Sequence, residues 1–155
     1  MIIREARAGD VESLMALVTQ SWEALIVFTN ETFRAQYERN IKYFQQNEAA
    51  KLAEVYQGDN RFFVACEEGN PDNVLGCVSV SRACADEAKL SNMAVLQHLR
   101  GQMIGSLLLA HAMEFAKSRY CRVKLVTENP LAANFYRKHG FLEYATVVNA
   151  LVTDK

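Results

Sequence analysis

The chain opens with "IIREAR", a short alternating stretch that reads as a strand and stops before Gly9. Apolar positions then recur at helical spacing. Val11, Leu14, Met15 and Val18 lead on through Trp22, Leu25 and Ile26, and Asp10 stands where a helix cap belongs. Thr29 or Asn30 can cap a second helix with the stripe Phe33, Tyr37, Ile41 and Phe44, and a third helix follows from Glu48 to Tyr56. After "GDN" the period shortens to two. "RFFVACEE", "NVLGCVSVSR" and "AKLSNMAV" read as strands, the first two joined by the turn-rich "EGNPDN".

The remaining chain alternates between the two periods. "VLQHLRGQMIGSLLLAHAMEFA" passes from strand to amphipathic helix through two glycines and an arginine. "CRVKLVTE" is another strand. "NPLAANFYRKHG" is a short helix with Pro130 in its first turn and Gly140 past its end, and "FLEYATVVNALVT" closes in strand-forming residues. The predicted order is β-αα(α)-β-β-β-α-β-α-β. It describes an α/β or α+β layer fold, a mixed central sheet flanked by helices with both hairpin and crossover connections. No repeat, low-complexity tract or linker divides the chain, so residues 1–155 read as one domain.

Composition narrows the function classes. Hydrophobic residues at 50% and charged residues at 23% are ordinary for a globular protein and argue against disorder. A balance of 17 Lys+Arg against 18 Asp+Glu gives a net charge of −1, so no bulk field draws nucleic acid or an anionic membrane, and neither is expected as a partner. The start lacks the basic-then-apolar pattern of a secretory signal, and no run approaches the ~20 apolar residues of a membrane span. Cys66, Cys77, Cys84 and Cys121 include no C-x-x-C pair and read as free thiols of a reducing cytoplasm. His98, His111 and His139 lack metal-ligand spacing, and no metal is expected. His111 falls on the apolar stripe of its helix. His139, just before Gly140, reads as a capping residue at a helix end that favours a cation.

Candidate chemistry starts at the glycine-flanked helix mouth. Unpaired N–H groups and the helix dipole favour an anion there, and glycine lets the backbone come close to it. The Gly101-to-Gly105 interval matches neither the G-x-G-x-x-G of a dinucleotide fold nor the G-K-[ST] ending of a P-loop. An anion site with Arg100 beside it is what remains.

Three stretches together resemble the GNAT superfamily of N-acetyltransferases, and the likeness spreads over most of the chain. "IREARAGDVESLMALV" is similar to the family's first strand and helix, and "LSNMAVLQHLRGQMIGSLLL" to its CoA-binding strand, loop and helix. "ENPLAANFYRKHGF" is similar to its later element, with Asn129, Ala132, Phe135, Tyr136, Gly140 and Phe141 at family spacing. The resemblance implies acetyl transfer from acetyl-CoA to a primary amine of a small molecule, peptide or protein. It also implies that Arg100, Gly101, Gln102, Met103, Ile104 and Gly105 form the pyrophosphate loop, with Ser106 starting the helix. Met93, Ala94 and Val95 are then expected to carry the pantetheine arm on their backbone, Asn129 to contact CoA, and Tyr136 to protonate the leaving thiolate.

The same resemblance marks two departures. Met103 stands where the motif has its first glycine, and costs about 1 kcal/mol if that backbone needs positive φ. Lys89 stands where many members place a glutamate base, which leaves Glu87 as the substitute, with Asp86 and Ser91 as alternatives. For the acceptor, Trp22, Phe28 and Phe33 are candidate walls, and Glu23 or Glu31 candidate attractors for a cationic amine. Core packing and solvation are the plain alternative for these residues. A homodimer is common among family members. A non-catalytic acyl-CoA-binding or sensing domain is the rival reading.

Overall fold

The computed structural model describes residues 1–26, 34–35, 38–39, 41–42, 46, 58–127 and 130–143. Among them a five-stranded sheet runs in the order β1 (Ile2–Glu5), β2 (Arg61–Glu67), β3 (Asn70–Cys84), β4 (Glu87–Val95), β5 (Arg122–Lys124). Neighbours from β1 to β4 are antiparallel, and β5 lies parallel to β4, reached through a helical crossover. The mixed sheet flanked by helices agrees with the order predicted from the sequence. The described positions between Arg34 and Gln46 are helical. The expected third helix, Phe28, Glu31, Phe33, Asn129 and the closing strand-forming stretch beyond Glu143 lie outside the described residues.

β2 explains the layering. Alternate side chains of a strand point to opposite faces, and from Phe62 to Cys66 every residue of β2 is buried. Phe62, Val64 and Cys66 therefore meet α1 (Val11–Ile26) through Leu14, Met15, Leu17 and Val18. Phe63 and Ala65 meet α2 (Ile104–Lys117) through Leu108, Leu109, Ala112 and Ala116. Gly76 lets α2 lie close to the sheet. A Cβ there would stand 2.9 Å from the Ala94 carbonyl oxygen and 3.0 Å from Leu108 Cδ1. The first strand and helix are tied by Arg4 and Asp10, whose guanidinium and carboxylate meet in a two-point contact at 2.7 and 2.8 Å.

Two predicted boundaries move. The β2–β3 connection is a two-residue turn at Glu68–Gly69, with Gly69 at φ +85°, so the expected turn residues Asn70 to Asn73 already belong to β3. The strand predicted over "CRVKLVTE" pairs only from Arg122 to Lys124, because β5 and β4 part company after Lys89↔Lys124. No helix among the described residues is long and apolar enough to cross a membrane.

Candidate active site

The parting of β4 from β5 opens a cleft of about 640 Å³. One wall is β4 from Leu90 to Val95 and the other is Leu125, Val126 and Thr127, the residues that leave the sheet after β5. The loop before α2 closes one end, and α3 (Pro130–Lys138) adds Leu131, Ala132, Phe135 and Tyr136.

A bulge in β4 shapes the first wall. Cys77 pairs with Ala94 and Ser79 with Ser91, so β4 spends one residue more than β3 between these pairs. The extra residue is accommodated at Asn92, whose φ of +52° is a left-handed conformation that asparagine adopts more readily than most residues. Its side-chain amide donates to Ser79 Oγ at 3.2 Å, Ser79 Oγ donates to the Ser91 carbonyl at 3.0 Å, and the Cys77 thiol donates to the Asn92 carbonyl at 3.3 Å. Burial pushes the Cys77 thiol up to about 12, so it stays a donor and holds the bulge. An asparagine within the strand-like "LSNMAV" was the available sequence signal for this feature.

The loop before α2 presents backbone donors. Gly101 turns it at φ +85°, and Met103 caps the helix at φ +64°, ψ +4°. Among the described residues, the N–H groups of Met103, Ile104, Gly105 and Ser106 have no hydrogen-bond partner, and no side chain caps the helix. Arg100 Nε donates to the Val95 carbonyl at 3.4 Å, which ties its side chain to the end of β4. Four free donors, a helix dipole and a guanidinium make this end of the cleft a receptor for an anion such as phosphate.

Tyr136 lines the cleft from α3, with its ring edge-on to Phe135 at 5.2 Å and to Phe141 at 5.7 Å. Burial pushes its phenol up to about 12, and its hydroxyl has no hydrogen-bond partner among the described residues. It is therefore a neutral proton donor held in an apolar setting. Residues 58–143, from the turn before β2 to the end of the described chain, match the model of the acetyltransferase (GNAT) domain. The chain belongs to the GNAT acetyltransferase family.

Solved structures agree at the level of fold. The GNAT chain is similar to an acetyltransferase of the same family from Staphylococcus aureus Mu50, with TM-score 0.72 and 21% identity over 93% of this chain and 85% of that one. It is similar to AAC(6')-Iy, solved with the bisubstrate analogue CoA-S-monomethyl-acetylneamine, with TM-score 0.71 and 17% identity over 98% and 97% of the two chains. A transcriptional regulator from Bacillus halodurans C-125 gives TM-score 0.70 and 23% identity over 97% and 99%. No curated protein matches the sequence.

Within this GNAT frame the site residues expected from the sequence divide into three groups. Met93, Ala94 and Val95 line the cleft on β4, while Arg100, Gly101, Met103, Ile104, Gly105 and Ser106 line it at the α2 mouth, and Tyr136 lines it on α3. Gln102 is exposed in the same loop but does not line the cleft. Glu87, the substitute base, sits at the opposite end of β4. Lys124 Nζ lies 2.7 Å from its carboxylate and Arg122 Nε 3.8 Å, so the acid is held by cations away from the cleft. Lys89 is exposed beside it. Asn129 and the acceptor candidates Phe28 and Glu31 lie outside the described residues, and Trp22 falls within α1. Sequence reasoning missed Ser21, Asn92 and the segment Leu125–Thr127 as parts of the cleft wall. No group of three or more His, Cys, Asp or Glu that could hold a metal occurs among the described residues.

Proposed function

We propose that the protein is an acetyl-CoA-dependent N-acetyltransferase that moves the acetyl group directly to a primary amine. The observation that carries the reading is the continuity of the cleft. It runs from backbone donors at the mouth of α2, past the edge of β4, to the hydroxyl of Tyr136, with the donors and the hydroxyl unpaired among the described residues. The N–H groups of Met103 to Ser106 and Arg100 suit the diphosphate of CoA. The edge of β4 from Ser91 to Val95, without β5 beside it, suits the amides of a pantetheine arm in the manner of an added strand. Acetyl-CoA supplies an activated thioester carbonyl, which a neutral amine attacks.

Tyr136 then donates its phenolic proton to the departing thiolate, and the proton shed by the acetylated nitrogen passes to solvent, from which the phenol is reprotonated; the role needs a protonated acid in reach and is favoured by the raised phenol. Glu87 is not assigned as base, given its engagement by Lys124 and Arg122. The acceptor class supported here is an amine. A similar fold, AAC(6')-Iy, is solved with an analogue joining CoA to acetylneamine.

The test is calorimetric titration with acetyl-CoA alongside Gly105→Glu, followed by acetyl transfer to a panel of amines. A Cβ at Gly105 meets the Phe135 ring at 3.6 Å, an ordinary contact, and the glutamate carboxylate beyond it repels phosphate, with a thermal melt checking that the variant folds. Binding that the variant loses, with turnover on at least one amine, supports the reading. Binding without turnover on any amine favours an acyl-CoA-binding module. Absence of binding by the wild type overturns both.

A further inference from the structure

One contact at the anion end of the cleft is unused by this reading. His139, just beyond α3, lies with its ring 4.4 Å from that of Phe135, and its Nδ1 is 2.8 Å from the Phe135 carbonyl oxygen. Its Nε2 is 3.0 Å from the hydroxyl of Ser106, in the first turn of α2. A carbonyl oxygen only accepts, so Nδ1 carries a proton in every state that keeps this contact. In the neutral ring Nε2 is then the acceptor, and Ser106 must donate its single hydroxyl proton to it. That proton is unavailable to the cleft. The serine presents lone pairs where its own backbone N–H, and those of its neighbours, await an anion.

Protonation reverses the polarity. With a proton on Nε2 the ring donates to Ser106 Oγ, and the hydroxyl proton is released to point at a ligand. We infer that Ser106 and His139 form a proton-coupled contact for the phosphate groups of the CoA ligand, in which His139 takes up a proton from solvent and Ser106 becomes a donor to the ligand's phosphate oxygen. The inference rests on the acetyl-CoA reading of the same cleft. It assigns His139 a positioning role, acting on the ligand through Ser106.

The charged and titratable residues on the elements that carry the pair are consistent with this assignment. On and beyond α3 they are Arg137, Lys138 and Glu143, and Glu143 is engaged by Arg137 at 3.1 Å. Tyr136 faces the cleft as a neutral phenol. On the loop before α2 they are His98 and Arg100, and Arg100 is tied to the Val95 carbonyl. Among the described residues no carboxylate contacts the imidazole.

The experiment compares wild type, His139→Ala and Ser106→Ala by calorimetric titration between about pH 5.5 and 8. Dephospho-CoA is the main probe, because the 3′-phosphate of CoA itself titrates near about pH 6, as phosphate monoesters do. Acetyl-CoA is run in parallel, since its own titration is common to all three proteins. The wild type is expected to bind about fivefold more tightly at the acid end, the difference between a charge-assisted donor and a lost one. Repeating the titration in buffers of different ionisation enthalpy is expected to show net proton uptake.

His139→Ala leaves the Ser106 proton uncommitted at every pH and is expected to bind near the tighter, acid level across the range with no proton uptake, and Ser106→Ala to bind at the weaker level with a shallower slope. His139 is exposed and Ser106 half-buried, and thermal melts check folding of the variants. A flat wild-type profile, or a slope that His139→Ala retains, overturns the inference while leaving the cofactor site intact. A wild type that binds neither probe overturns the acetyltransferase reading with it.

Discussion

Lys89 faces Lys124 on the last rung of the parallel β4–β5 ladder, and beyond this pair the two strands hold no further pairing. Lys124 turns to Glu87 instead of the cleft, so the three charged residues form a surface group at the closed end of the wedge. Lys89→Ala is therefore expected to leave kcat within about twofold, as surface changes do, and Glu87→Gln to cost about 1 kcal/mol of stability with kcat preserved. Steady-state kinetics and urea melts check both. A large loss of kcat in Glu87→Gln would restore that residue as the base.

Tyr136→Phe removes one hydroxyl that makes no hydrogen bond among the described residues. If the phenol protonates the thiolate, kcat falls by about a hundredfold or more while the acetyl-CoA dissociation constant stays put. The raised phenol also fixes a sign. A folded-state value of about 12 against an ordinary 10.0 means the acid stays protonated through the alkaline working range. The stability it contributes is complete below the ordinary value and is lost as pH rises toward the folded one. No alkaline fall in kcat assignable to Tyr136 is expected below that ordinary value, and a tyrosine-dependent limb near neutrality in the pH–rate profile would contradict the burial.

Met103 occupies a left-handed backbone position at the N-terminus of α2 and is 67% exposed, so its side chain gains little packing in return for the strain. Met103→Gly is expected to stabilise the protein by about 0.5–1 kcal/mol and to tighten acetyl-CoA binding a few-fold, whereas Met103→Ala, which keeps the Cβ, does neither. Denaturant melts and calorimetry read the two effects separately. Equal behaviour of the glycine and alanine variants would show that conformation is not the issue.

Asp10 is 3% exposed, and burial by itself would push its carboxyl up. Hydrogen bonds from the Arg4 guanidinium and the Arg7 N–H outweigh this and hold it below the usual carboxylate range. A depressed folded-state value gives stability that is present above the unfolded value of 3.8 and lost as pH falls through the folded one. Asp10→Asn, which leaves Arg4 without its partner, is expected to cost about 2–3 kcal/mol at neutral pH and to flatten the acid side of the stability profile. A melt series from neutral to acid pH would show it, and a variant as stable as wild type would mean that the pair is dispensable.

The parts of this protein that the sequence determined are those whose cause is local. Gly101, Pro130 and Gly140 punctuate the α2 and α3 segments, and the first N–H groups of any helix lack partners whatever the surrounding fold, so the anion receptor could be read from the chain itself, and the Tyr136 element from its resemblance to the family's pattern. The two faces of β2 were likewise implicit in a nearly unbroken apolar run.

What only the tertiary structure decided depends on pairing between distant segments. "CRVKLVTE" has strand character throughout, yet only three of its residues find β4, and the cleft exists because Leu125 to Thr127 do not. Glu87 is attracted away from the cleft by Arg122 and Lys124, residues more than thirty positions later that register brings opposite it and two places along. Ser106 meets His139 across a similar gap. Local chemistry writes the elements and their end groups into the chain, but which edge stays open and which charges meet is set by register, a property no single segment carries.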